Sequence, residues 1–175
     1  MEKDYFKTIY TDFFGVETLP KIEVENNLGS QEEMTSLFND INNLYITDDS
    51  KDLLKKMIEY MRKYKEKLEN NYVKFNVVFK VNNEETKNKF INILYEASKY
   101  FSYIENNTRK DISLYKKEEV SYNNFGFIII DKLKGILLED INYQNKFFFE
   151  LEDYLKKVNK NIMIVIGDEE DINTF

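Results

Sequence analysis

The sequence predicts a three-layer α/β fold: a mainly parallel sheet of three to five strands with helices on both faces, preceded by an N-terminal helical arm. Two observations predict it. The runs Phe75–Val81, Phe125–Asp131 and Asn161–Gly167 are short and nearly continuous in apolar residues, as strands buried on both faces are. Amphipathic helical stripes separate them, in the order strand, helix, strand, helix, strand. Right-handed crossovers then fix the rough topology.

Taken in order, residues 3–14 read as a short helix ended by Gly15, with Tyr5, Phe6, Ile9 and Phe13 at helical spacing and Tyr10 and Phe14 off that stripe. So many aromatics on one short helix suggest docking, onto the chain's own core or onto a partner. Residues 16–29 hold the single proline and read as a connector, with Lys21–Val24 a candidate edge strand. Ser30 and Glu33 have capping-box spacing, and Met34, Leu37, Phe38, Ile41 and Leu44 follow as a helical face. Thr47–Ser50 starts a basic helix to about Asn70, with Leu53, Leu54, Met57, Ile58, Met61, Tyr64 and Leu68 inward.

Tyr72–Val81 is the first central strand, and a helix from about Glu84 to Ile104 buries Phe90, Leu94, Ala97 and Phe101. Glu84 and Glu85 complement that helix's positive end. Asp111–Tyr115 is a candidate short strand within a polar stretch. A helix over residues 140–158 turns Phe147, Phe148, Leu151, Tyr154, Leu155 and Val158 inward, and the chain closes on the acidic run Asp168–Asp171.

Composition narrows the function. The chain has 175 residues, 42% hydrophobic and 33% charged, enough for one domain with a real core. No run is long enough to span a bilayer, and the N-terminus lacks the order of a signal peptide, so a cytoplasmic location is the expectation. With neither cysteine nor histidine, disulfides, thiolate or imidazole metal sites and histidine acid–base catalysis are excluded. The net charge of −7 is uneven: residues 1–50 carry 11 acids and 3 bases, and residues 51–70 carry 7 bases and 4 acids. Direct nucleic-acid binding is not expected from such a balance. Abundant Lys, Asn, Ile and Tyr fit AT-rich coding, as in a bacterial or phage source.

From about Ile46 to Phe175 the order of elements resembles the ATPase domain of AAA+ proteins, most closely the CbxX/CfqX (SpoVK-like) group, without the lid subdomain. The matching pieces are Val77–Asn83, Phe127–Asp131, Leu151–Tyr154 and Ile164–Glu170. The resemblance implies a truncated P-loop NTPase-like domain over 46–175, with 1–45 as an added arm and connector. The family's phosphate loop falls on Val81–Asn88. Lys87 survives there, but Val81 and Thr86 replace both glycines and Asn88 replaces the Mg²⁺-binding hydroxyl. Glycines are needed where the loop must adopt φ > 0 and bring amides onto phosphate. The Walker B pair falls on Asp131 and Lys132, so the glutamate that orients water is a lysine.

Lys87 and Asp131 are therefore the candidate cofactor-binding residues should any nucleotide site survive; no catalytic residue, no metal ligand and no resident cofactor are expected. The acidic pairs Glu118–Glu119 and Glu139–Asp140, and the run Asp168–Asp171, read as solvated groups, the last at best a weak cation site. Tyr60, Tyr95, Tyr103 and Tyr122 lie off the main stripes and suggest interface tyrosines. The leading expectation is a catalytically inactive, AAA+-like protein-interaction or regulatory module. Tyr5, Phe6, Tyr10 and Phe14 are its candidate partner-binding residues, and an active ATPase of related fold is a candidate partner. Two alternatives stand beside it: a small acidic inhibitor of a nucleic-acid-binding enzyme, of the mobile-element counter-defence type, and a nucleotide-binding switch without hydrolysis.

Overall fold

Five parallel strands in the order β1-β2-β5-β4-β3 form the centre of the computed structural model, which describes residues 8–11, 28–68, 73–113, 126–156 and 160–175. The strands are β1 (Thr8–Thr11), β2 (Asn76–Lys80), β3 (Arg109–Ser113), β4 (Phe127–Asp131) and β5 (Ile162–Gly167). Helices α1 (Leu28–Asn42), α2 (Asp48–Lys65) and α3 (Glu84–Tyr100) precede or follow β2. A 3-10 segment (Leu133–Leu138) and α4 (Ile141–Lys156) link β4 to β5, and α5 (Glu169–Thr174) follows β5.

The period-2 alternation of each strand divides the core into two layers. Val77, Phe79, Ile129, Ile164 and Ile166 face α1, α2 and α3, whereas Val78, Ile128, Ile130, Met163 and Val165 face α4 and the 3-10 segment. Register keeps like faces together, with Val77 beside Ile164 and Ile164 beside Ile129. Strands covered on both faces need no polar side, and so their sequences run continuously apolar. The three-layer α/β expectation holds. Among the described residues no helix is long and apolar enough to cross a membrane.

Several local expectations are corrected. Thr8–Thr11 is not helical but an edge strand, in parallel register with Asn76–Phe79. Thr-Ile-Tyr-Thr is rich in β-branched and aromatic residues, and the open edge of β2 supplies backbone partners that a helix would not use. Ser30 does not cap α1, because the helix already starts at Leu28. Thr47 does cap α2, accepting from Ser50 N at 3.3 Å, but that helix stops at Lys65 and leaves Leu68 exposed. Tyr60 and Tyr103 are core residues, not interface ones. The Tyr103 hydroxyl donates to Val73 O at 2.5 Å and accepts from Val73 N at 3.1 Å, which lets its ring sink beside Phe75. Tyr122, Val158 and the Lys21–Val24 segment lie outside the described residues.

Glycine is required at one strand entrance. A Cβ on Gly126 would fall 2.8 Å from the carbonyl carbon of Asn106 and closer still to its oxygen. Only a bare α-carbon lets the approach to β4 pass that backbone.

Candidate functional site

The carboxyl ends of β2, β4 and β5 open on one cleft of about 220 Å³, the place where open α/β sheets hold ligands. Its shape begins with the turn after β2. Val81 N donates to Gly167 O at 2.7 Å, which extends the β2–β5 ladder one residue past the strand. Asn83 then caps α3, its side chain accepting from Thr86 N at 2.9 Å. The segment matched to a phosphate loop is thus a three-residue turn followed by the first turn of a helix. An asparagine oxygen already holds one of the amides that a phosphate loop presents to its ligand.

Lys87 lies one turn into α3 and is only 7% exposed. Its Nζ meets Asp131 Oδ2 at 2.9 Å and Glu84 Oε2 at 2.6 Å. The structure therefore brings together the two sequence candidates, Lys87 and Asp131, across 44 residues of chain. Burial pushes the Lys87 ammonium down, but hydrogen bonds and charge from Glu84 and Asp131 outweigh it, and its pKa stays above the ordinary lysine value. The hydrogen bond from Lys87 in turn holds the Glu84 carboxyl below its usual range, against a smaller opposing effect of burial, with Lys132 adding to the pull.

Asp131 is followed by Lys132 in the left-handed region, at φ 58° and ψ 44°. This reversal starts the 3-10 segment and carries Lys134 over to β5. Lys134 Nζ reaches Asp168 Oδ2 at 2.6 Å and Glu170 Oε2 at 3.4 Å. Lys134 N donates to Asp171 Oδ1 at 2.9 Å. Asp168 and Asp171 form a reciprocal capping box at the start of α5, each carboxylate accepting from the other's amide at 3.1 Å. The terminal acidic run is therefore not merely solvated. Asp171 is 3% exposed, and its carboxyl is raised by burial, with the amides of Lys134 and Asp168 opposing. The Lys134 hydrogen bond lowers Asp168.

The lining holds four carboxylates, Glu84, Asp131, Asp168 and Asp171, against three lysines, Lys87, Lys132 and Lys134. Among the described residues no cluster of three or more acidic side chains is arranged to hold a metal ion. Sequence reasoning missed Glu84 as a direct partner of Lys87, and Asp171 as a buried anchor. Both had a signal: Glu84 and Lys87 are three apart at a helix start, and Asp-x-x-Asp has capping-box spacing. Of the proposed partner-binding residues, Tyr5, Phe6 and Phe14 lie outside the described residues. Tyr10 sits in β1, and its side chain is likewise outside the description. No protein-family model matches the chain, and no curated protein matches it.

Proposed function

We propose that the chain is a catalytically inactive, AAA+-like module, a pseudo-ATPase of CbxX/CfqX type, that works by binding another protein. The observation that carries this reading is the closed ion cluster Glu84–Lys87–Asp131. The one lysine at the phosphate-loop position is neutralised by carboxylates from the same turn and from the end of β4. The order β2-β5-β4-β3, with the β2–α3 turn and the Asp-ended strand β4 facing one cleft, supports the scaffold half of the proposal. The missing glycines, the Asn83 cap and Lys132 in the water-orienting position support the inactive half. An eroded pocket on an intact scaffold leaves surface recognition as the remaining use of the domain.

Calorimetry and thermal shift with ATP or ADP and Mg²⁺ test it. No heat and no shift in Tm are expected for the wild-type protein. Saturable nucleotide binding, or turnover above background, refutes the reading.

A further inference from the structure

Among the described residues, four of the seven exposed large hydrophobics, Leu137, Leu138, Ile141 and Phe149, fall within one short stretch and are between 62% and 82% exposed. Leu137 and Leu138 close the 3-10 segment, and Ile141 and Phe149 are two turns apart on the outer face of α4, whose opposite face packs on the sheet through Phe147, Leu151 and Leu155. Apolar side chains gathered this way mark a contact surface.

The charges beside them say what covers it. Lys146 and Glu150, one turn apart on one flank of that face and on either side of Phe149 in sequence, bring Nζ and Oε1 to 3.9 Å. When two identical helices pack antiparallel about a two-fold axis, each flank meets the same flank of the other copy. An axis crossing α4 level with Phe148 sets Phe149 near its counterpart. It also puts Lys146 of each copy opposite Glu150 of the other, giving two ion pairs around an aromatic centre. A patch that is complementary to itself under a two-fold is what an isologous dimer requires. We propose that α4 and the end of the 3-10 segment form a homodimer interface, and that the occupant of this face is a second copy of the chain.

The proposal is independent of the nucleotide-site reading, which calorimetry alone reports. Light scattering on the full chain across a wide concentration range should show twice the protomer mass. Phe149→Asp should be monomeric and melt like the wild type diluted to its monomeric form, since the side chain is exposed in the single chain. Lys146→Glu and Glu150→Lys should each weaken dimerisation about tenfold or more, by setting like charges face to face. Mixed in equal amounts, these two variants should recover a dimer, because every cross-interface pair is then opposite in sign. A monomeric wild type at all concentrations, a dimer that survives Phe149→Asp, or a mixture that stays monomeric overturns the proposal.

Discussion

Gly167→Ala tests how the carboxyl end of the sheet is closed. A methyl there would lie 2.6 Å from Asp171 Cβ and 2.7 Å from its Cγ, and the three nearest atoms all belong to Asp171. Turning the carboxylate leaves Cβ where it is, so the start of α5 must shift and take the Asp171 carboxylate with it. That group accepts from Lys134 N at 2.9 Å and Asp168 N at 3.1 Å in a buried setting, and a hydrogen bond to a charged acceptor contributes about 1.5–3 kcal/mol. Losing one and stretching the other gives a destabilisation of about 2–4 kcal/mol. Urea denaturation followed by circular dichroism measures it, with the m-value checking that unfolding stays two-state. The decisive arm is a cycle with Asp171→Gly, which removes the clashing atoms. In that background Gly167→Ala should cost less than about 0.5 kcal/mol, a coupling of about 2 kcal/mol between the sites. Additive effects, or a Gly167→Ala protein as stable as wild type, would refute the steric account.

Two further outcomes follow from charges held in place. Lys74 is pushed down to about 8 by burial, although its Nζ lies 4.4 Å over the Tyr154 ring and 3.4 Å from Tyr154 O. Between pH 8 and the unfolded value of 10.5 the unfolded chain holds the extra proton, so stability should rise with pH there, by about 1–2 kcal/mol after discounting for partial exposure. Lys74→Met should abolish that rise, and an NMR titration of the Nζ group that midpoints near 10.5 would contradict it. Lys87→Met leaves Asp131 half-buried without its cation and should cost about 1–3 kcal/mol, below the figure for a fully buried pair because water still reaches Asp131. Adding Asp131→Leu should recover most of that loss in the same denaturation assay; no recovery would show that Lys87 stabilises by packing alone.

What could be read from the chain divides along physical lines. The runs that became β2, β4 and β5 were legible because burial on both faces leaves no polar alternation to confuse with a helix. The strand Thr8–Thr11 was not: Tyr5, Phe6, Ile9 and Phe13 also suit a helix, and a four-residue edge strand exists only because β2 offers it a ladder. Tyr60 and Tyr103 read as interface tyrosines because helix stripes count one buried face. α2, wedged among α1, α3 and the sheet, buries more than one, and the Tyr103 hydroxyl finds both its partners in the Val73 backbone. At the site, the approach of Lys87 to Asp131 follows from aligning the β2–α3 turn with the end of β4, two strands away across β5. The Lys134–Asp168 bridge does not, because it depends on the left-handed turn at Lys132, and a lysine carries no sequence signal for that conformation.

The cleft answers an electrostatic demand that every α/β sheet of this kind creates. Helices α3 and α5 both begin there, each N-terminus carrying roughly half a positive charge, and Lys87, Lys132 and Lys134 add three more. A bound phosphate is one way to satisfy such a field. This chain supplies its own anions instead: Glu84 and Glu85 in the first turn of α3, Asp168 through Asp171 at the start of α5, and Asp131 between them. A phosphate reaching Lys87 competes with Asp131, a charge-assisted bond of about 1.5–3 kcal/mol, and with Glu84, whose exposure to water leaves about 0–1 kcal/mol. That exchange costs about 2–4 kcal/mol before any new contact forms, or roughly thirtyfold to a thousandfold in affinity. It would also leave two carboxylates beside the incoming charge. The absence of glycine from Val81–Asn88 alone makes a poor phosphate site; internal neutralisation goes further, because it gives the folded protein a lower-energy use for the same lysine.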